Sequence, residues 1–308
     1  MTFTFEEFCV RMQAEIIKYL PDDYTDSETV IKPCYEPGRH YIGLCIASPN
    51  HNCSPILNLS DLYECAEQGE SVKDLLMKYT KAFSYKLQID LKQMLDYTSI
   101  KEWLFAKCIG IRGNEKFLQN VPHKVIEDLA IIYAAKIPID MEDGDYSAVI
   151  RNNQFPDVGI DQLHEDAMRN SEKLFPAIIA DIADINDCLF HAMSGTDPSP
   201  KSFNTALSEA WVTDCKLFVL TNKKNYYGAT VLFYPGVMEA LYKRLGTFYI
   251  LPRSVHETQL IRSGQNEPSG MLEMVQYINT EAVLPEERLA DSVYQYDGLE
   301  FKKICLQS

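Results

Sequence analysis

The segment Pro252–Glu257 carries the side chains best suited to chemistry in this sequence. It offers a cation, a hydroxyl, an imidazole and a carboxylate, from Arg253, Ser254, His256 and Glu257. Ser254 and His256 are two residues apart, so in an extended chain they share a face and can hydrogen-bond. A nucleophile and base also require an orienting acid and an oxyanion donor. A turn in which Ser254 and His256 serve backbone groups explains the same residues.

A second polar segment, Thr221–Gly228, is rich in residues that favour turns. Asn222 is the candidate for a polar contact to a ligand here, as Arg253 is in the first segment. Turn formation is the competing interpretation, because asparagine and glycine are typical of tight turns. Gly228 alone does not make a phosphate loop, and no glycine-rich nucleotide fingerprint occurs in the chain.

Four potential metal ligands lie within fourteen residues: His40, Cys45, His51 and Cys53. Zinc sites built from histidine and cysteine normally use two close pairs. Only His51 and Cys53 are close, and His40 and Cys45 fall on opposite faces if they lie on one strand. We therefore predict neither a metal nor another cofactor, and keep these four residues as the alternative.

Charge and cysteine usage limit the partners and the compartment. The net charge is −15, from 44 acidic and 29 basic residues, which argues against nucleic acid as a partner. No apolar run approaches the roughly 20 residues of a membrane span. The nine cysteines include no Cys-x-x-Cys pair and follow no signal peptide, as expected for free thiols in a reducing compartment. The sequence predicts a cytoplasmic protein with a protein or small-molecule partner and no membrane partner.

The periodicity of apolar residues predicts the elements that must position these groups. Residues 1–88 are expected to form a small N-terminal α-β-β-β-α-α unit, and residues 89–118 a connector. Residues 119–308 are expected to form a larger mixed C-terminal domain with antiparallel hairpins, so the fold class is α+β. Within it, Leu129–Ala134 is typical of a strand buried on both faces. Residues 216–220 and 229–234 are predicted strands on either side of the Thr221–Gly228 tip.

Short motifs that together suggest a family are distributed along nearly the whole chain. They are Asn114 with Leu118, Pro122-His123, Asp128-Leu129, Asn170 with Leu174-Phe175-Pro176, Leu220-Thr221-Asn222, Gly228-Ala229, Tyr234-Pro235-Gly236, Leu251-Pro252 with Ser254, His256 and Glu257, Asn279, Leu289, Asp291 and Val293-Tyr294-Gln295-Tyr296. Together they resemble a bacterial family of uncharacterised proteins, a domain of unknown function from anaerobic Gram-positive bacteria. The resemblance implies a cytoplasmic α+β protein and brings no catalytic residues with it. The family's pattern usually has serine where this chain has Arg253, so paired hydroxyls before His256 are not implied.

Two hypotheses of function follow. The first is a binding or adaptor protein, because no recognisable catalytic motif is present and polar loops are displayed on a β-rich half. The second is an enzyme of unrecognised type whose site lies near the loops 252–257 and 221–228. The second hypothesis requires the two loops to converge in one concave pocket that contains a titratable group of shifted pKa, and it fails if they lie at opposite ends of the sheet.

Overall fold

The computed structural model describes residues 4–51, 53–84, 90–137, 147–182, 217–264 and 268–305. The chain divides into two compact units, Met1–Leu95 and Asp96–Ser308. The expected connector, 89–118, is therefore split between them. Most of it belongs to the second unit, because it contains a buried strand, Leu104–Gly110. The tryptophan and lysine around and within this strand obscured its β character in the sequence.

The first unit has the predicted order of helices and strands. Its elements are α1 (Phe5–Glu15), β1 (Glu28–Glu36), β2 (Arg39–Ala47), β3 (Ile56–Asn58), α2 (Leu59–Glu67), α3 (Val72–Tyr79) and α4 (Leu91–Leu95). The strands form an antiparallel sheet in the order β1-β2-β3. Thr4 begins α1 with a capping box, since its hydroxyl accepts the backbone N–H of Glu7 and the Glu7 carboxylate accepts that of Thr4. Phe8, Met12 and Leu44 pack in the core of this unit.

The second unit begins with a four-stranded antiparallel sheet. Its elements are α5 (Tyr97–Ile100), β4 (Leu104–Gly110), α6 (Glu115–Leu118), β5 (His123–Ile126), β6 (Leu129–Lys136), β7 (Ser147–Val149) and α7 (Ile160–Leu174). β6 is central: β4 pairs along one edge, while β5 and β7 follow one another along the other. Residues 129–135 of β6 are all buried, so the predicted doubly covered strand is confirmed.

A six-stranded antiparallel sheet completes the second unit. Its elements are β8 (Ala177–Asp181), β9 (Leu217–Asn222), α8 (Val237–Leu245), β10 (Phe248–Ser254), β11 (Glu257–Arg262), α9 (Pro268–Glu281), β12 (Tyr294–Tyr296) and β13 (Phe301–Lys303). The strand order is β13-β12-β10-β11-β9-β8. The α+β class and the β10–β11 hairpin agree with the prediction.

The predicted strand at 229–234 is wrong, because Gly228–Phe233 forms a 3₁₀ helix. Residues 228–232 are buried, but the segment covers the edge of β4 instead of extending a sheet. The Thr230 hydroxyl accepts the backbone N–H of Cys108 at 2.8 Å, and the Ser171 hydroxyl accepts that of Ala106 at 2.8 Å. Side chains thus satisfy backbone donors that a further strand would otherwise take.

Within the described parts of the chain, no helix combines the length and the apolar character needed to cross a membrane.

Candidate functional site

The loop after β9 and the turn between β10 and β11 meet in the second unit. The Thr221 hydroxyl donates to the carbonyl of His256 at 2.7 Å, and the backbone N–H of Ala229 donates to Val255 at 3.2 Å. The backbone N–H of Tyr227 donates to Nδ1 of the His256 ring at 3.3 Å. The loops 221–228 and 252–257 therefore lie together at one end of the sheet.

Asn222 organises the first loop from within. Its side-chain amide donates to the carbonyl of Tyr226 at 2.8 Å, and its side-chain oxygen accepts the N–H groups of Lys224 and Tyr226. Asn225 and Tyr227 both have left-handed backbone conformations, with φ of 47° and 48°. Such conformations are strained outside glycine and persist where the surroundings enforce them. The amide of Asn222 is part of that enforcement.

The groups of the second loop are engaged in pairs. The Ser254 hydroxyl accepts the backbone N–H of His256 at 3.1 Å, which is a turn-capping contact. Because Nδ1 of His256 accepts from Tyr227, its proton resides on Nε2, which faces a Glu287 carboxylate oxygen at 3.5 Å. Arg253 and Glu257 form an ion pair at 2.8 Å. The arrangement orients the imidazole toward the first loop and Glu287.

The four potential metal ligands of the first unit do not form a cluster. His51 stacks on Tyr24, with ring centroids 4.5 Å apart, and its Nε2 lies 3.0 Å from the Asp23 carboxylate. Cys45 and Cys53 are free thiols. Among the described residues, no three His, Cys, Asp or Glu side chains are grouped as a metal ion would require, and His40 is included in that statement.

Lys107 is the functional candidate that the sequence reasoning missed. It lies in the middle of β4 and is 5% exposed. Its ammonium donates to the hydroxyls of Tyr226 at 2.9 Å and Ser147 at 3.2 Å. Three aromatic rings surround the same nitrogen, with centroids at 4.5 Å for Tyr227, 5.1 Å for Tyr226 and 5.3 Å for Phe105. We call Phe105, Lys107, Ser147, Tyr226 and Tyr227 the lysine cage.

The lysine cage contains a charge without a counter-charge among the described residues. Every group that contacts the ammonium there is a hydroxyl or a ring, and no described carboxylate lies within ion-pair distance. The neighbouring loop adds further cations, Lys223 and Lys224, and Lys224 lies over the Phe175 ring at 5.9 Å. In a chain with a net charge of −15, this is a local concentration of positive charge.

The two loops connect to the lysine cage through Tyr227. Its ring lies 4.9 Å from that of Tyr226 and 5.9 Å from the imidazole of His256. A sequence signal for the cage existed, because Lys107 is a single charged residue inside the apolar run Leu104–Gly110. Its aromatic partners could not be found from the sequence, since Tyr226 lies 119 residues away along the chain.

Gly228 permits the close approach of the two loops, and we expect Gly228→Ala to destabilise the protein by about 3 kcal/mol. A Cβ at this position would lie 2.2 Å from both the His256 carbonyl oxygen and the Thr221 hydroxyl. Denaturant unfolding measures the effect. Gly270→Ala is the control: a Cβ there meets nothing within 4 Å, so alanine should stabilise α9 by about 0.5 kcal/mol or more. Wild-type stability of Gly228→Ala would contradict the described contact.

Residues 5–298 of the chain match a family described as a family of unknown function (DUF5688). No curated protein and no solved structure matched the chain. The expected resemblance to an uncharacterised family is thereby confirmed at the level of the family. The comparisons assign no activity, so the chemistry has to be inferred from the residues themselves.

Proposed function

The chain belongs to DUF5688, a family of unknown function, and from its own geometry we propose that it is a binding protein that takes a small carboxylate at Lys107. The observation that carries the proposal is the buried ammonium of the lysine cage. Lysine is almost never fully buried unless it is paired. The rings and hydroxyls around Lys107 contact the ammonium but carry no negative charge that would neutralise it. A bound anion would supply the missing charge.

A carboxylate fits the cage better than a highly charged anion. Lys107 provides one positive charge, which matches the single charge of a carboxylate. The hydroxyls of Ser147 and Tyr226 now accept from the ammonium, and each also has a hydrogen that it can donate to a carboxylate oxygen. The rings of Phe105 and Phe175, 5.0 Å apart, offer an apolar surface to the body of the ligand.

Access to the ammonium runs past the first loop. Ser147, Tyr226 and Tyr227 are only half-buried, whereas Lys107 is buried beneath them. A ligand that reaches the ammonium therefore displaces the tyrosines, and the left-handed conformations at Asn225 and Tyr227 mark the segment that rearranges. His256 limits this movement through its contact with Tyr227.

An enzyme that acts at the same loops is the second candidate. It is favoured by the convergence of the two loops, which is one of the conditions of that hypothesis, and by an imidazole held between Tyr227 and Glu287. In this case His256, Ser254 and Glu257 remain the candidate catalytic residues. Arg253 and Asn222 remain the candidate binding contacts. The binding function is preferred because Ser254 and Asn222 are committed to backbone groups.

Native mass spectrometry of gently purified protein, compared with its denatured mass, tests the proposal. We expect an added mass from an organic acid in the wild-type protein and none in Lys107→Met. A wild-type protein without added mass would contradict a tightly held ligand. The released molecule then separates the two candidates: it stays unchanged on incubation with fresh protein if the function is binding, and is converted if the protein is an enzyme.

The proposal places the protein in a bacterial cytoplasm, with neither nucleic acid nor membrane as partner. The described cysteines are free, and burial raises the pKa of Cys9, Cys53 and Cys108. Raised thiol pKa values keep cysteines protonated and unreactive, which suits a structural role in a reducing compartment.

A further inference from the structure

A cavity of about 210 Å³ lies beside the beginning of α7 in the second unit. Its wall has an apolar part, formed by Ile150, Phe155, Val158, Ile160 and Leu163, and a polar part, formed by Arg151, Asn152 and Asn153. By the liquid volume of water, about 30 Å³ per molecule, the cavity has room for roughly seven waters. That is less than the roughly 300 Å³ at which drug-sized sites begin, so its occupant is a group of one-residue size.

The cavity is separate from the lysine cage. Lys107 pairs with Ile132 across the β4–β6 ladder, and the next pair is Ala106 with Tyr133. Because successive side chains point to opposite faces, Lys107 and Tyr133 lie on different faces of the sheet. Tyr133 hydrogen-bonds with Nδ1 of His164 on α7 at 3.1 Å, so α7 and its cavity are on the Tyr133 face.

Arg151 is the charged residue among those that line the cavity. Its guanidinium lies over the Phe117 ring at 5.7 Å, and among the described residues it forms no ion pair. Of the two acids in the same stretch of chain, Asp161 pairs with Lys124 at 2.7 Å, and the exposed Asp157 forms no ion pair with Arg151. A partly apolar cavity beside a cation that has no described acidic partner is complementary to a ligand with an apolar body and a terminal carboxylate.

We propose that this cavity binds an apolar carboxylate the size of a branched aliphatic acid, with its body among Phe155, Ile160 and Leu163 and its carboxylate on Arg151. Two sources have this chemistry: a free branched-chain acid and the C-terminal residue of a peptide. An amide of the same shape lacks the charge and binds at least ten-fold more weakly. The occupant is distinct from the ligand of Lys107, because the two sites lie on opposite faces of one sheet.

Titration of the full chain carrying Lys107→Met, in which the lysine cage lacks its ammonium, tests this site by calorimetry with three probes: 4-methylpentanoate, 4-methylpentanamide and the tripeptide acetyl-Gly-Gly-Leu. We expect the acid to bind at least ten-fold more tightly than the amide, and Arg151→Gln to remove that difference while Arg151→Lys retains part of it. Arg151 is exposed, so these variants should fold as the wild type does, which circular dichroism verifies.

Binding of the tripeptide with an affinity equal to or above that of the acid assigns the site to peptide C-termini, and binding of the acid alone assigns it to free acids. Because the titrated chain carries Lys107→Met, the response reports this cavity and not the lysine cage. Equal affinity for acid and amide, an unchanged response when Arg151→Gln is added, or a response that occurs in the wild type and not in Lys107→Met would overturn the proposal. The last result would show that the acid binds in the lysine cage instead.

Discussion

Substitution of Lys107 by methionine is expected to weaken carboxylate binding at least 100-fold and to change the free energy of unfolding of the ligand-free protein by less than about 1 kcal/mol. The binding loss follows from charge: a carboxylate left unpaired in a buried site costs about 3–5 kcal/mol. Methionine keeps the length and most of the apolar stem of lysine. It therefore tests the ammonium without opening a large cavity.

The small effect on stability follows from opposing contributions. Burial of an ammonium costs several kcal/mol. The rings contribute about 0.5–2 kcal/mol each, and hydrogen bonds from a charged group about 1.5–3 kcal/mol each. The cost of burial and the gain from rings and hydrogen bonds nearly cancel in the ligand-free protein. Lys107→Met removes both, so the free energy of unfolding changes little. If Lys107 served only to anchor the loop, methionine would destabilise the protein by about 2 kcal/mol or more and binding would be unaffected.

Two variants control this result. Lys224→Met removes an exposed cation from the same loop, and we expect its affinity for carboxylates to fall by no more than about three-fold because exposed charges are screened by solvent. Asp145→Asn removes the carboxylate nearest to Ser147 along the sequence, two residues before it. An internal counter-ion at Asp145 would make D145N weaken the fold and strengthen anion binding, whereas the proposal predicts that both stay at wild-type values.

Asp128→Asn is expected to destabilise the protein by about 2–3 kcal/mol. The Asp128 carboxylate follows β5 and accepts hydrogen bonds from Ser292 at 2.6 Å, from Lys303 at 2.7 Å and from the buried Tyr294 hydroxyl. It thereby ties the turn of the four-stranded sheet to β12 and β13 of the six-stranded sheet. The expected loss of stability is at the lower end of what three such hydrogen bonds contribute, because the Asp128 side chain is 32% exposed.

The same substitution should change how stability depends on pH. Burial alone would raise the pKa of Asp128, but hydrogen bonds from Lys303, Ser292 and Tyr294 outweigh it and hold the pKa below its ordinary value of 3.8. A carboxyl with a lowered pKa in the folded state stabilises the protein above its unfolded-state pKa. That contribution is lost as the pH falls below about 4 and through the folded-state value, so Asp128→Asn should show a shallower loss of stability there.

Urea unfolding between pH 2.5 and pH 7 measures both effects. Asp161→Asn is a matched control, because Asp161 also has a lysine at 2.7 Å but is 82% exposed, and no measurable change is expected. Equal stability of Asp128→Asn and the wild type at neutral pH would contradict the role of Asp128. If the free energies of unfolding of the two proteins changed with pH in parallel, the loss of stability below about pH 4 would not come from this carboxyl.

The elements of the fold follow from local patterns in the sequence. The Thr4 capping box, the apolar run of β6 and the turn between β10 and β11 each depend on residues close together in the chain. The 3₁₀ helix at Gly228–Phe233 could not be distinguished from a strand, because a short, continuously buried run fits a buried strand and a short helix equally well. The contacts that decide its shape come from Thr230 to Cys108, 122 residues away.

The candidate site likewise has a part that the sequence predicted and a part that it did not. The loops 221–228 and 252–257 were identified from residue types, and the structure brings them together through Thr221 and His256. The lysine cage was missed because it joins β4, β7 and the loop after β9, which no sequence periodicity relates. Lys107 itself is a charged residue inside an apolar run, and its partners are not visible in the sequence.

The central claim is that the buried ammonium of Lys107 binds a carboxylate. The most direct measurement is the free energy of unfolding as a function of acetate concentration, at constant ionic strength, for the wild type and Lys107→Met. A ligand that binds only the folded state raises this free energy with its concentration. We predict a progressive rise for the wild type and a flat response for Lys107→Met. Parallel curves for the two proteins would contradict the claim.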